Sequence, residues 1–344
     1  MAMEPILKHG LSGWQPQQEI SPSTSTTRLI NIRVSALSNS SVSTTALSKA
    51  AMAEVSELTD IEKNFLEPYL PPGSTSRRGE GAGTDGAPEE CSGATNAPHV
   101  DDGDLPFVTL TYASSLDSMI SLAPGLRTTL SGPETKSMTH YLRIHHDAIL
   151  VGVGTAIPDD PGLNSRYPGV TLDSQPRPVV VDPKMRWNVY GSKLAQLAQA
   201  GQGKAPWLIH TPREVREEPL TEWGGKRVFL ATETGYPSQK SEPAERETIA
   251  WPVILKMLRR EGANSVMIEG GASVISTLLS MPELVDSVIV TIAPTWLGEG
   301  GVTVSPAPKT EAGERVNAAR LQQTAWRQFG ADAVLCGRLQ ASKT

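Results

Sequence analysis

The sequence predicts an α/β fold: a mostly parallel sheet with helices on both faces and antiparallel strands at its C-terminal end. Three observations carry this. Short, nearly all-apolar runs at 148–151 (AILV), 178–181 (PVVV) and 265–268 (SVMI) are of the kind a parallel sheet buries on both faces. Helical segments alternate with such runs, the rhythm of strand–helix–strand units. The last runs, 285–292, 320–326 and 332–338, follow one another with little helix between them and are expected to close the sheet edge as antiparallel strands.

Composition bounds the function. The 344 residues are 38% hydrophobic and 20% charged, an ordinary globular balance. The formal charge of −6 argues against nucleic acid as a partner. No apolar run approaches the roughly 18 residues that suggest a membrane span. Cys91 and Cys336 are too few for a disulfide framework, and a reducing, cytoplasmic setting fits them.

In chain order, residues 1–56 are rich in Ser, Thr and Ala without apolar period and are expected to be a disordered extension. An organelle-targeting segment is the other reading, and Met52 a possible natural start. Residues 57–72 predict a short helix, with Thr59 as N-cap, Glu62 completing a capping box and Pro71-Pro72 ending it. Residues 73–104, mostly Gly, Ser, Pro and acids, predict a low-complexity linker. The folded unit is then 105–340, and the first hundred residues hold too little apolar surface to join its core.

Within that unit, 107–113 (FVTLTYA) is the first strand. Ser131-Gly132-Pro133-Glu134 predicts a capping box and a first-turn proline for a helix that buries Met138, Tyr141, Leu142 and His145, leaving Arg143 and His146 off that face. His140, His145 and His146 lack the i,i+4 spacing of a helical metal site, so no metal is expected. Further strands are expected at 207–210 and 227–230, and a helix over 249–260.

Two glycine turns follow strands, where open α/β sheets bind ligands. After 148–151 the chain breaks at Gly152-Val153-Gly154-Thr155, then brings Asp159 and Asp160 between Pro158 and Pro161, and ends in Asn164-Ser165-Arg166. A plain polar turn is the alternative. After 265–268 come Glu269-Gly270-Gly271-Ala272-Ser273 and a helix, whose unpaired N–H groups and dipole suit an anion. Alone this turn is equally a packing device, being neither GxGxxG nor a Walker loop. No GxSxG elbow and no H-x-E…PCxxC zinc-deaminase signature is present.

Taken together, PFVTLTYASSLDS, TLSGPETKSMTHYLR, DAILVGVGTAIPDDPGLN, QPRPVVVD, VMIEGGASVISTLL and VDSVIVTIAPTWLG resemble, in order, the pyrimidine reductases of riboflavin biosynthesis, in their fungal form. The resemblance covers 106–339. It implies a dihydrofolate-reductase-like three-layer sandwich, a homodimer, and NADPH-dependent reduction of a phosphorylated ribosylaminopyrimidine to its ribitylamino product. By the same resemblance Thr155, Asp159, Gly270, Gly271, Ala272, Ser273 and Val274 would bind the cofactor. Arg143, Leu163 and Arg166 would line the substrate site. Glu269 would hold the open sugar's hydroxyls or relay a proton, unless it only caps the helix that follows. The chain departs from many relatives in having Met119 after its SLDS motif, where a basic residue is common. Lys184 and Arg186 are placed for the cofactor's 2′-phosphate, with a solvated turn as the alternative. The competing functions are a dihydrofolate-type reductase and a non-catalytic NADP- or phosphosugar-binding protein.

Overall fold

A computed structural model describes residues 55–73, 105–212, 219–231 and 249–340; of the extension expected at 1–56 and the linker expected at 73–104, residues 1–54 and 74–104 lie outside them. In chain order the strands are β1 (Phe107–Ser114), β2 (Met119–Ser121), β3 (Ala148–Gly152), β4 (Arg177–Val181), β5 (Trp207–His210), β6 (Lys226–Phe229), β7 (Ser265–Gly270), β8 (Ser287–Ile292), β9 (Val302–Thr303), β10 (Lys309–Glu311), β11 (Glu314–Val316), β12 (Leu321–Phe329) and β13 (Asp332–Leu339). The helices are α1 (Asp60–Leu66), α2 (Pro133–Ile144), α3 (Val153–Asp159), α4 (Lys193–Gln199), α5 (Trp251–Arg260) and α6 (Ala272–Leu279). No helix among the described residues is long and apolar enough to cross a membrane.

Nine strands form one sheet in the order β12-β13-β8-β1-β7-β3-β4-β5-β6. From β8 to β6 all neighbours are parallel; β13 runs antiparallel to β8, and β12 antiparallel to β13. The expected antiparallel closure therefore holds for the last hairpin but not for 285–292. That strand pairs parallel with β1, because α6 carries the chain back to the sheet's starting end, as a parallel crossover requires.

Alternation along the strands makes three layers. Leu150, Val266, Ile268, Val288 and Val290 pack on one face with Ile254, Leu255 and Leu258 of α5 and Ile275 and Leu278 of α6. On the other, Met267 and Ile289 meet Met138, Tyr141 and Leu142 of α2, while Ile149, Val151 and Val180 meet Ala156 of α3 and Leu194 of α4. Interior strands thus bury both pleats, which is why they read as continuous apolar runs.

Two local expectations meet different outcomes. The Thr59–Glu62 capping box forms as read, with the Thr59 side chain accepting from the Glu62 N–H and the Glu62 carboxylate accepting from Thr59. At α2 the N-cap is Gly132, and Ser131 makes no box. Asp332 of β13 does that work across the fold: its Oδ2 accepts from the Gly132 N–H at 2.8 Å and from the Thr135 hydroxyl at 2.5 Å. His146, though off the apolar face, is buried as well, with Nδ1 2.7 Å from the Leu142 carbonyl and Nε2 2.8 Å from Thr109 Oγ1.

The start of the folded unit needs correction. Leu58, Leu66, Tyr69 and Leu70 are buried in one cluster with Met138, Tyr141, Tyr167, Phe329 and Val334. The Leu58 N–H donates to Tyr167 Oη at 2.9 Å, and the Tyr69 hydroxyl to the Gln323 carbonyl at 2.6 Å. Residues 55–73 are therefore part of the domain's core, and the unit is wider than 105–340.

Candidate functional site

Between β3 and β7 the chain leaves in opposite senses. From β3 it goes through α3 on one face to β4; from β7 it goes through α6 on the other face to β8, beyond β1. Such a switch point leaves a crevice outside the strands' carboxyl ends. Both glycine turns lie there and touch: a Cβ added at Gly152 would come within 3.0 Å of Val274 Cγ2 and 3.9 Å of the Gly270 carbonyl. The β3 exit is a short helix rather than the expected open turn. Its N-cap is Gly152, and Asp160 ends it in the left-handed conformation at φ 39°.

Glu269 is presented by an irregularity. Leu150 pairs with Ile268 but Val151 with Gly270, so Glu269 is an extra residue in β7 with no partner in β3. Bulges of this kind re-aim a side chain next to functional sites. Glu269 lies on the pleat of Met267, the face covered by α2, and there meets Arg143: Nε donates to Oε1 at 2.9 Å and Nη2 to Oε2 at 2.7 Å. The Arg143 Nη1 donates to the Asn164 carbonyl at 2.9 Å. Both side chains are mostly buried, at 14% and 15% exposure.

The second turn is built for close approach. Gly270 has φ 136°, which side-chain-bearing residues rarely adopt, and the Gly270–Gly271 peptide is cis. A Cβ at Gly271 would stand 2.8 Å from Thr155 Oγ1, so the two turns interlock through that hydroxyl. Gly271 is the N-cap of α6 and supplies no side-chain cap, while Ser273 is exposed and Ala272 and Val274 half-buried. Gly154, also exposed, has nothing within 4 Å of an added Cβ. Gly270, Gly271, Ala272 and Ser273 thus run along a helix start left open by its cap, with Thr155 Oγ1 against Gly271. That donor set suits a phosphate-bearing nucleotide.

Of the paired aspartates, Asp160 caps α4, its Oδ1 accepting from the Lys193 N–H at 3.0 Å. Asp159 is half-buried; burial raises its carboxyl above the ordinary range, against the pull of Arg127. The sequence reading passed over Arg127, an exposed cation beside the crevice; its one signal was being the sole basic residue between Ser114 and Lys136. Arg166 is exposed and braced by His140, whose Nδ1 accepts from the Arg166 N–H and whose Nε2 lies 3.1 Å from Arg166 Nη2. Leu163, expected to line the substrate site, is 1% exposed and packs with Ile149 and Ala156, so it supports the loop from beneath. Met119 sits in β2, paired with β9, and its N–H donates to Ser115 Oγ at 3.0 Å. Asp117 of the same motif anchors the Leu297 and Gly298 N–H groups; the Ser115 hydroxyl and these bonds hold its carboxyl down at about 2. Arg186 lies 3.9 Å from the buried Asp182.

Burial holds His140 down at about 3, helped by Arg143 and Arg166, and burial holds His146 down at about 4. Both rings are then neutral when folded, whereas an unfolded chain protonates them near pH 6.5. Between those values the unfolded state binds more protons. Their contribution is therefore complete above about pH 6.5 and is lost as pH falls toward 4, at up to about 2.7 kcal/mol per pH unit for two groups. Melting temperature should fall through this window, and His146→Gln should flatten the slope. A flat profile in the unaltered protein would refute the neutral-imidazole assignment.

Fold and site define an α/β protein with two touching glycine turns at the switch point of a parallel sheet and the Glu269 carboxylate one residue before the second turn. Residues 106–335 match the RibD C-terminal domain, and the chain belongs to that family. A Candida glabrata relative named 2,5-diamino-6-ribosylamino-4(3H)-pyrimidinone 5′-phosphate reductase is 42% identical over 243 residues, 68% of this chain and 90% of the relative. A Saccharomyces cerevisiae relative of the same name is 40% identical over 245 residues, 71% and 91% of the two chains. The structure of the S. cerevisiae riboflavin biosynthesis reductase Rib7 superposes with a TM-score of 0.58 at 34% identity, over 82% of this chain and all of that one. Acinetobacter baumannii RibD, at 21% identity and a TM-score of 0.52 over 69% of this chain and 59% of that one, shares the fold.

Proposed function

We propose that this chain reduces the ribosyl side chain of 2,5-diamino-6-ribosylamino-4(3H)-pyrimidinone 5′-phosphate to the ribitylamino product, an early step of riboflavin biosynthesis, with NADPH as hydride donor. The observation that carries this reading is Glu269, bulged out of β7 beside the glycine crevice. Relatives at 40–42% identity that bear this reductase's name support it.

In the reaction the ribosylamine opens to an imine; a hydride adds at C1′ and a proton at nitrogen. NADPH, when bound, supplies the hydride. Gly270, Gly271 and the first N–H groups of α6 would hold its phosphates, with Thr155 and Asp159 on the opposite wall. Glu269 accepts hydrogen bonds from the hydroxyls of the open sugar and so fixes C1′. Arg166, exposed and braced by His140, meets the substrate's phosphate with a planar fork. The chain is proposed to act in the cytoplasm as a homodimer, and the outer edge of β12, with Trp326 61% exposed, is a surface a second copy would cover.

The test is NADPH oxidation with freshly generated substrate, in parallel with dihydrofolate. Turnover of the pyrimidine alone is expected, and Glu269→Gln should lower kcat by about a hundredfold, the scale on which mispositioning acts. Turnover of dihydrofolate instead would overturn the proposal.

A further inference from the structure

Arg143 and Arg166 both suit a substrate phosphate by residue type, yet the structure gives them different surroundings. Arg166 is an exposed side chain on a loop. Arg143 projects from the last turn of α2, is 14% exposed, and has every guanidinium nitrogen engaged: Nε and Nη2 on the two oxygens of Glu269, Nη1 on the Asn164 carbonyl. The Nε–Nη2 edge, which chelates an oxyanion side-on, already holds the Glu269 carboxylate, and an anion could take that edge only by displacing it.

We propose that Arg143 is a positioning residue: it fixes the plane of the Glu269 carboxylate and ties the 160–166 loop to the tip of β7, and it does not bind the phosphate. A bidentate fork sets both the distance and the rotation of its partner, which a point charge cannot do. Glu269 needs such a constraint because, as the extra residue of a bulge, it has no strand partner in β3 to orient it. The Asn164 bond adds a second consequence. The loop carrying Arg166 is held to α2 by the Ser165 hydroxyl on the His140 carbonyl at 2.7 Å, and it is tied to β7 through Arg143, which bonds both Asn164 and Glu269. One guanidinium therefore sets the spacing between the group that would hold the sugar and the loop that would hold the phosphate. The inference rests on the proposed contact of Glu269 with substrate.

The experiment compares Arg143→Ala, Arg143→Lys, Glu269→Ala and the double alanine variant with the unaltered full chain, reading kcat, KM for the phosphorylated substrate and Kd for NADPH. Arg143→Ala should lower kcat by roughly a hundredfold and leave both KM and Kd near their original values. Lysine should restore little. Guanidinium chloride at non-denaturing concentration, against sodium chloride as control, should recover part of the lost kcat in Arg143→Ala but none in the double variant, since the ion has no carboxylate to orient. The double variant should be no slower than Glu269→Ala alone. A raised KM with kcat intact would make Arg143 the phosphate ligand and overturn the inference. So would additive losses with no guanidinium recovery, an outcome that also covers a merely structural arginine. Should Arg143→Ala not fold, Arg143→Gln and Arg143→Lys carry the same readouts. Full activity in Glu269→Ala would instead bring down the Glu269 reading, whereas an inactive Glu269→Ala beside a fully active Arg143→Ala brings down this inference alone.

Discussion

Leu66→Ala is expected to lower the melting temperature by roughly 5–15 °C. Leu66 has no exposed surface, and truncating a fully buried leucine costs about 2–5 kcal/mol, each worth about 2–4 °C in a domain of this size. The residue lies outside the unit that composition marks as folded, which makes the result diagnostic. A chain beginning at Asp102 should fare worse. It would uncover Met138, Tyr141, Phe329 and Val334, and it would remove the bonds from the Leu58 N–H to the Tyr167 hydroxyl and from the Tyr69 hydroxyl to the Gln323 carbonyl. The damage should reach the site, because the uncovered face of α2 lies one turn from His140 and Arg143, and Tyr167 directly follows Arg166. Turnover should fall with stability. An unchanged melting temperature in the shortened chain would show that residues 55–73 contribute nothing to the core.

What was legible in the sequence was what short-range chemistry dictates. The Thr59–Glu62 box needs three residues of chain, and it forms. The buried strands announce themselves because an interior parallel strand has no polar face to display. The glycine turns were legible as strand ends. Partners set by topology were not. Asp332 caps α2 from 200 residues away at Gly132, and nothing near Ser131 announces it. The direction of β8 depends on the crossover through α6, not on its own residues. Leu58, Leu66 and Leu70 read as sparse apolar residues in a polar stretch; only the groove between α2 and the β12–β13 hairpin makes them core. Within the site, the pairing of Arg143 with Glu269 follows from a bulge that no local pattern marks.

Gly271→Ala separates two explanations for the second glycine turn. The added Cβ would stand 2.8 Å from Thr155 Oγ1, closer than such atoms pack, so the variant must shift one turn against the other. If the glycine serves only that interlock, the cost is steric and belongs to the cofactor-free protein. Removing the hydroxyl should then abolish it: Thr155→Ala with Gly271→Ala should melt near Thr155→Ala alone and bind NADPH as Thr155→Ala does. If the glycine also admits a phosphate to the backbone N–H groups at the start of α6, a methyl group there occupies ligand space whatever residue 155 is. The double variant would then regain stability yet bind NADPH more weakly than Thr155→Ala. Charge-assisted bonds are worth about 1.5–3 kcal/mol each, so losing two corresponds to a hundredfold or more in Kd. This second outcome is the expected one, because Gly271 is the N-cap of α6 with no capping side chain, and the crevice wall opposite is the exposed, unobstructed Gly154. The measurement is a pair of melting curves without cofactor and a pair of NADPH titrations on Thr155→Ala and the double variant. Equal affinities in the two would remove the phosphate cradle from this turn and leave the glycine a packing residue.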